Sequence, residues 1–206
     1  MHPTRLLRGA SLALLSLLAL AAAGDATTIR PLPFREIARR ADRIVVATVA
    51  GSSCRLGVGP AGIPRPYTDW DLRDVAVLEG DVRTRNLLLP VVGGTVDGYR
   101  TTVHGTPEFE VGRRYVLFLK SGEPLTGLVG WTQGVFRLEP RPDGRDRVFT
   151  HDGAPVHSLE GGKVATGGAA MDLVPFLEAI RAARAEGPVV PEGLRDGPRL
   201  GRSGPR

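Results

Sequence analysis

The longest uninterrupted apolar run beyond the N-terminal region is Tyr-Val-Leu-Phe-Leu at residues 115–119. Glycine and proline bound it at residues 105–107 and 122–124, and the Gly-Arg-Arg at 112–114 is typical of a turn or bulge that leads into a strand. A strand with apolar residues at successive positions has no polar face, so both of its faces need cover. The pattern predicts a strand in the core of a barrel or sandwich, with the rest of the chain organised around it.

Shorter apolar and β-branched segments recur between glycine and proline turns and predict a meander of antiparallel strands. In the second of these, Asp74 falls at an inward position, which indicates a bulge at 74–75 or a buried carboxylate with a partner, and the bulge is favoured. Residues 51–66 are interpreted as a long loop, and a hairpin is expected around Asp97 and Gly98. The predicted strands span residues 43–50, 67–78, 86–92, 127–139 with an interruption at 132–133, and 147–150, with short ones near Val156 and Val164.

Two segments show the helical period instead. A short helix is predicted before the first strand, because apolar residues recur there at helical spacing, at Phe34, Ile37 and Ala38. Residues 172–186 predict the one C-terminal amphipathic helix, whose apolar stripe consists of Leu173, Phe176, Leu177 and Ile180. The predicted organisation is a β-barrel-like domain at 28–166, a helix at 171–187, and a disordered tail at 188–206 that is rich in Pro, Gly and Arg.

Residues 1–23 are typical of a secretory signal peptide. Arg5 and Arg8 precede an apolar segment at 10–20, and the small residues at 21–23 predict cleavage between residues 21 and 26. The apolar segment is short for a transmembrane helix, and the alternative is an uncleaved N-terminal anchor. No other stretch of the sequence is long and apolar enough to span a membrane, so the sequence predicts a secreted or periplasmic protein.

The composition suits short strands joined by turns, since the chain has 27 glycines and 17 prolines. Of its net charge of +5, two charges belong to residues 1–23 and two to residues 188–206, which leaves +1 for the predicted folded part. Such a part lacks the basic footprint of a nucleic-acid-binding protein. Cys54 is the only cysteine, so an internal disulfide is excluded. It is a buried hydrophobe, an exposed thiol or an intermolecular bridge, and the first is favoured.

Candidate metal ligands are His104, His151 and His157, with Asp152 beside the second of them. Imidazoles and carboxylates bind Zn²⁺ and related ions, which makes these residues the candidate site. The alternative is that all three histidines are exposed turn residues, because no HxxxH, HExxH or HxH spacing is present.

Other catalytic patterns have less support. The chain has no GxSxG motif, and no histidine is tied by sequence to Cys54. Asp69 and Asp71 flank Trp70 and are predicted to lie on a solvated face. No glycine-rich loop has the lysine of a phosphate site, and no cofactor is predicted.

The candidate contacts for a ligand or partner are three aromatic residues, Tyr67, Tyr99 and Trp131. Tyr67 and Tyr99 are expected to be exposed.

One resemblance covers residues 41–140. The segments ADRIVVATV at 41–49, VLEGDV at 77–82, LLLPVVGG at 87–94, GTPEFEVGRRYVLFL at 105–119 and GVFRL at 134–138 follow one another in order. This order resembles that of secreted bacterial β-barrel proteins of the OB-fold type, similar to netrin/TIMP-like modules. The resemblance implies a small antiparallel OB-like barrel and an exported location. The cysteines of those modules are absent and Ala47 replaces their usual glycine, so no functional residue is carried over.

Together these observations predict an exported, non-enzymatic binding or interaction module with a mainly β fold. Its partner would be an extracytoplasmic protein or an envelope component. The alternative function is a metal-binding protein or metal-dependent hydrolase that uses His104, His151 and His157. A purely structural envelope protein is a further alternative.

Overall fold

The computed structural model describes residues 30–81, 84–123, 125–159 and 162–185, apart from the side chain of residue 61. The predicted signal peptide at 1–23 and the predicted tail at 188–206 lie outside the described residues. The described part is mainly β, as the sequence predicts. Its helices are α1 (Phe34–Arg40) and α2 (Leu173–Ala185), with two 3-10 turns at Pro60–Gly62 and Trp131–Gly134. Its strands are β1 (Arg43–Val58), β2 (Pro64–Glu79), β3 (Leu87–Val92), β4 (Gly94–Val96), β5 (Tyr99–Thr101), β6 (Arg114–Leu119), β7 (Val135–Pro140), β8 (Asp146–Thr150), β9 (Val156–Ser158) and β10 (Ala165–Thr166).

Six strands form one antiparallel sheet in the order β3-β2-β1-β6-β7-β8. β1 lies near its middle and pairs with β2 on one side and, through residues 43–48, with β6 on the other. The remaining strands form two small hairpin-like pairs, β4 with β5 and β9 with β10. The first of these is the predicted hairpin, and its turn residues Asp97 and Gly98 have the positive φ angles (49° and 80°) that such a tight turn requires.

β6 is buried on both faces, which confirms the prediction made from its unbroken apolar run. Its residues 115–119 are all at most 3% exposed. Val116 and Phe118 face a core that α1 and α2 cover, whereas Tyr115, Leu117 and Leu119 face a second core. Residues from β2 and β3 join this second core. The sheet curves around it, because the short segment 125–129 contacts both β3 and β6, at Val91 and Leu119, although two strands lie between them in the sheet.

Phenyl rings hold the helical layer to the sheet. Phe34 of α1 lies 5.9 Å from Phe118 of β6, 6.1 Å from Phe136 of β7 and 5.5 Å from Phe176 of α2, measured between ring centroids. The rings meet edge-on or tilted, which is the arrangement that aromatic quadrupoles favour. Arg184 of α2 adds a polar link, since its Nη1 donates to the carbonyl oxygens of Ala38 and Ala41 at 2.8 and 2.9 Å.

A bulge bends β2, as predicted at Asp74. Val46 of β1 lies opposite Ala76 and Thr48 lies opposite Arg73, so Asp74 and Val75 together occupy the space across from one residue of β1. The φ angle of Asp74 is 52°, and its side chain is exposed while Val75 is only 9% exposed. The extra residue therefore restores the inward register of β2 without burying a carboxylate.

The interpretation of residues 51–66 as a loop is wrong. β1 and β2 continue as one ladder from the pair Gly51 and Asp71 to the pair Val58 and Pro64. Glycine serves close packing here, since a Cβ on Gly57 would lie 2.7 Å from the ring of Tyr67. The prediction that Asp69 lies on a solvated face is also wrong: it is 8% exposed and accepts two hydrogen bonds from Arg55, at 2.5 and 3.2 Å.

The sheet does not close into the predicted barrel within the described residues, because β3 and β8 are edge strands without a ladder between them. Residues 125–129 form isolated contacts instead. The Val92 N–H of β3 donates to the Leu125 carbonyl at 2.8 Å, and the Val129 N–H donates to the Phe118 carbonyl of β6 at 2.9 Å. Residues 125–129 thus bridge β3 and β6 through irregular backbone, where a closed barrel would have a strand ladder.

The predicted C-terminal helix is confirmed as α2, whose buried residues are Phe176, Ile180 and Ala183. Leu177, placed on the predicted stripe, is only partly buried against the same core. Within the described part of the chain, neither helix has the length and apolar character needed to cross a membrane.

We expect Phe34→Ala to lower the free energy of unfolding by about 3–5 kcal/mol, because it leaves a cavity among three other rings. Guanidinium denaturation followed by circular dichroism measures this. Val174→Ala is the matched control, since Val174 lies on α2 and is 65% exposed; we expect a change within about 0.5 kcal/mol. Equal effects of the two substitutions would contradict the packing of α1 on the sheet.

Candidate functional site

The candidate site is a pocket with an apolar floor, at the end of the sheet where the N-terminal segment approaches β7 and β8. Its volume is about 590 Å³, within the range of small-molecule sites. The floor is part of the helix-covered core, since Ile37 and Phe136 are both 1% exposed. The lining residues are Pro31, Leu32, Pro33, Ile37, Thr132, Gln133, Val135, Phe136, Thr150, His151, Asp152, Lys163 and Val164.

The N-terminal wall of the pocket is fixed by one hydrogen bond. The Leu32 N–H donates to Gln133 Oε1 at 2.6 Å, across 101 positions of sequence. The flanking prolines at 31 and 33 restrict the backbone and keep it extended. Gly130 completes this contact, because a Cβ at that position would lie 2.9 Å from Leu32 Cδ1. The wall therefore depends on glycine at a specific place in the opposite turn.

The turn that carries Gln133 has an unusual backbone. Gly130 and Trp131 both have left-handed φ angles, 63° and 61°. A bulky non-glycine residue in this region is strained by about 1–3 kcal/mol, and such strain is concentrated at functional sites. Trp131 starts the 3-10 turn whose next two residues, Thr132 and Gln133, line the pocket. The strained backbone is thus next to the pocket wall.

Two charged side chains lie at the rim and differ in their partners. Asp152 accepts a hydrogen bond from the Thr150 hydroxyl. Lys163 is exposed, and its ammonium group forms no ion pair or hydrogen bond with any residue that the structure describes. The rim therefore offers a cation whose three donors are available.

His151, a further polar residue of the pocket lining, is held by main chain. Its Nε2 lies 3.1 Å from the Glu108 N–H and 2.9 Å from the Glu108 carbonyl oxygen. It accepts from the first or donates to the second, according to the tautomer. Its ring also meets Phe109 edge-on, with centroids 6.4 Å apart. His151 thus joins the turn after β8 to the segment that leads into β6.

Charges near that contact are stabilised by arginine. A hydrogen bond from Arg113, with further attraction from Arg137, lowers the pKa of Glu110 below its ordinary value. Burial raises the pKa of Tyr115, whose hydroxyl accepts the Glu110 N–H at 3.0 Å. Glu110 is therefore an anion and Tyr115 a neutral phenol at neutral pH, and the lead-in to β6 is held by both.

The three candidate histidines do not meet. His157 Nδ1 lies 3.2 Å from the Ala169 carbonyl oxygen, His151 contacts Glu108, and His104 is an exposed turn residue between β5 and β6. Among the described residues, no group of three or more His, Cys, Asp or Glu side chains is placed to hold a metal ion. The convergence of imidazoles that the metal-binding alternative requires is not found there.

The three candidate aromatic residues lie in different environments. Tyr67 is 6% exposed, which overturns the expectation of an exposed contact, and Arg55 lies over its ring at 5.8 Å. Tyr99 is 65% exposed on β5. Trp131 is half-buried beside the pocket. Of the three, Trp131 alone adjoins the candidate site.

Sequence reasoning did not find most of this pocket. Leu32, Gln133 and Lys163 carry no motif and meet only because distant segments fold together. The local signal that was available is the pair of prolines at 31 and 33, which predicts an extended segment but not what it contacts.

Comparison with known proteins gives no relative: no protein-family model, no curated protein and no solved structure matches this chain.

We expect Gly130→Ala to destabilise the protein more than Gly144→Ala. Both glycines have positive φ angles, 63° and 79°, so both substitutions carry the left-handed backbone penalty of about 1–2 kcal/mol. At Gly144 a Cβ meets nothing within 4 Å, whereas at Gly130 it displaces Leu32. The difference in free energy of unfolding, measured by denaturant titration, reports the crowding at Gly130, in which the 2.9 Å approach to Leu32 is the closest contact. Equal losses would mean that residue 32 does not close the pocket.

Proposed function

We propose that this protein is an exported, non-enzymatic binding module that takes a small amphipathic ligand, with an apolar body and one acidic group, in the pocket described above. The observation that carries the proposal is the combination of an apolar floor with a cation, Lys163, that lacks a partner among the described residues. This pocket supports the binding function that the sequence predicts.

The apolar body of the ligand follows from the walls. Leu32 and Val164 are half-buried and present accessible hydrocarbon to the pocket above the floor of Ile37 and Phe136, and covering such surface gains about 25 cal/mol per Å². A wholly polar ligand would leave these walls unfavourably hydrated. An apolar chain or ring system is the class that gains from this surface.

The acidic group follows from the rim. Asp152 already accepts the Thr150 hydroxyl, whereas Lys163 has donors to offer. A single carboxylate or similar anion beside Lys163 gains an ion pair, but a second anion would approach Asp152 and be repelled. Binding, not chemistry, is favoured because His151 engages the Glu108 main chain through Nε2 and is not directed at a nucleophile.

Export is proposed on the pattern of residues 1–23, and an OB-like relationship on the order of apolar segments at 41–140. The central pairing of β1 with β6 supports the second proposal. An OB-like relationship calls for a closed barrel. In this open, bent sheet the segment 125–129 would have to take the place of the strand ladder that closes such a barrel.

Titration with decanoate tests the proposed ligand class. Trp70→Phe leaves Trp131 as the single tryptophan, so fluorescence reports events beside the pocket. We expect saturable binding of decanoate, weaker binding of decanol, and about fivefold weaker decanoate binding in Lys163→Ala, the loss typical of an exposed ion pair.

Lys120→Ala is the matched control, because the only other lysine lies outside the pocket. Lys163→Arg should retain the preference for decanoate over decanol. Absence of saturable binding, or equal losses in Lys163→Ala and Lys120→Ala, would contradict the proposal.

A further inference from the structure

The outer half of β1 has a backbone edge that no described strand covers, on the side of the sheet occupied elsewhere by β6. β6 pairs with β1 only through residues 43–48. Val49 still bonds to the segment before β6, since its N–H donates to Arg113 and its carbonyl accepts from Gly112. Beyond the bulge at Ala50, residues 51–58 pair with β2 alone among the described strands. Every second residue of a strand directs its N–H and C=O to one side, so this edge presents donors and acceptors that no described strand pairs.

The edge lacks the usual protection against pairing. Free edges are normally blunted by proline, lysine, charge or covering segments. Residues 51–58 contain no proline and no lysine, and their one charged side chain, Arg55, is paired with Asp69. Leu56 and Val58 are 47% and 76% exposed. This segment is therefore a template for a further strand.

Neighbouring structure leaves the edge accessible. β4 approaches the outer half of the β1–β2 hairpin, but it lies on a face. A Cβ on Gly94 would be 2.8 Å from both Cys54 Sγ and Thr68 Oγ1, two groups on the same face of the hairpin. The side chains of residues 52–56 and 58 are exposed, so the favoured prediction that Cys54 is a buried hydrophobe is wrong.

We propose that the occupant of this edge is the same edge of a second copy, paired antiparallel about a two-fold axis. In a symmetric antiparallel pair one residue must lie opposite itself, because the hydrogen-bonded and non-hydrogen-bonded pairs alternate. Only registers centred on Cys54 or Arg55 use nearly the whole of residues 51–58. The second would place two guanidinium groups side by side, which destabilises a strand pair, so Cys54 is the centre.

This register is complementary in size. Ser52 lies opposite Leu56 of the second copy, Ser53 lies opposite its Arg55, and Gly51 lies opposite its Gly57. Each large side chain meets a small one, and the two Arg55 side chains stay apart while each keeps Asp69 within its own hairpin. The association is independent of the proposed ligand pocket, which lies at β7 and β8.

A charge exchange tests the register. In the variant Ser52→Lys/Leu56→Lys, each residue 52 lies opposite residue 56 of the second copy, so two pairs of like charges face each other across the axis. In the variant Ser52→Lys/Leu56→Glu, the same two pairs have opposite charges. Both variants lose Leu56 and alter only exposed positions. Analytical ultracentrifugation of the untagged protein should show a concentration-dependent dimer. The dimer of the Lys/Glu variant should have a dissociation constant roughly tenfold lower than that of the Lys/Lys variant. Val111→Lys/Val174→Lys adds the same charge at other exposed positions and should dimerise like the unmodified chain.

The thiol gives a second readout. Directly opposed residues have Cα atoms about 4.5–5.5 Å apart, which lies within disulfide range. Cys54 Sγ now lies 3.5 Å from Thr68 Oγ1, and rotation about its Cα–Cβ bond turns it toward the axis. Oxidised glutathione should convert two Cys54 thiols into one disulfide, with two molecules of glutathione released and the dimer retained on a non-reducing gel.

Cys54→Ser should abolish this covalent dimer and keep the reversible one. The Lys/Lys variant should cross-link more slowly than the Lys/Glu variant. A monomer at every concentration, equal dimerisation of the two charge variants, or a reversible dimer that oxidised glutathione does not link would each overturn the proposal.

Discussion

The burial of β6 on both faces is the constraint on which the rest of the fold depends. A strand whose residues 115–119 are all apolar cannot leave either face in water, so two separate covers are needed. One cover is the pair of helices, joined to the sheet through Phe34 and Phe176. The other is the sheet itself, which bends so that β2 and β3 pack over β6 and β7. The bulge at Asp74 belongs to this second cover because a bulge increases local twist and bending.

The first cover also creates the candidate site. α1 has to lie against Phe118 and Phe136, so the chain before it passes close to the start of β7. There the Leu32 backbone meets Gln133, and the space left between them and the turn after β8 is the pocket. The floor of the pocket and the core of the protein share Ile37 and Phe136. A ligand in the proposed pocket would therefore contact residues that also pack the helical layer on the sheet.

Sequence predicted those features that are encoded locally. The unbroken run of β6, the misplaced Asp74 and the Asp97-Gly98 turn each carry their own signal, and each has the predicted structure. Residues 51–66 were misinterpreted because glycine and proline usually mark loops, whereas Gly57 here makes room for a buried tyrosine ring. The pocket was not predictable, since its walls come from segments about a hundred positions apart and none of them has a distinctive composition.

The difference between arginine and lysine in this chain follows from their chemistry. Several arginines have structural partners: Arg55 binds Asp69 bidentately, Arg147 binds Asp172, and Arg184 binds the carbonyls at the end of α1. A planar guanidinium with five donors suits such fixed contacts. Lys163 has a flexible stem and a compact charge, and at the pocket rim it is not committed to a described residue. The position of Lys163 in the pocket lining, together with this lack of a described partner, is what distinguishes it from the arginines that hold the fold together.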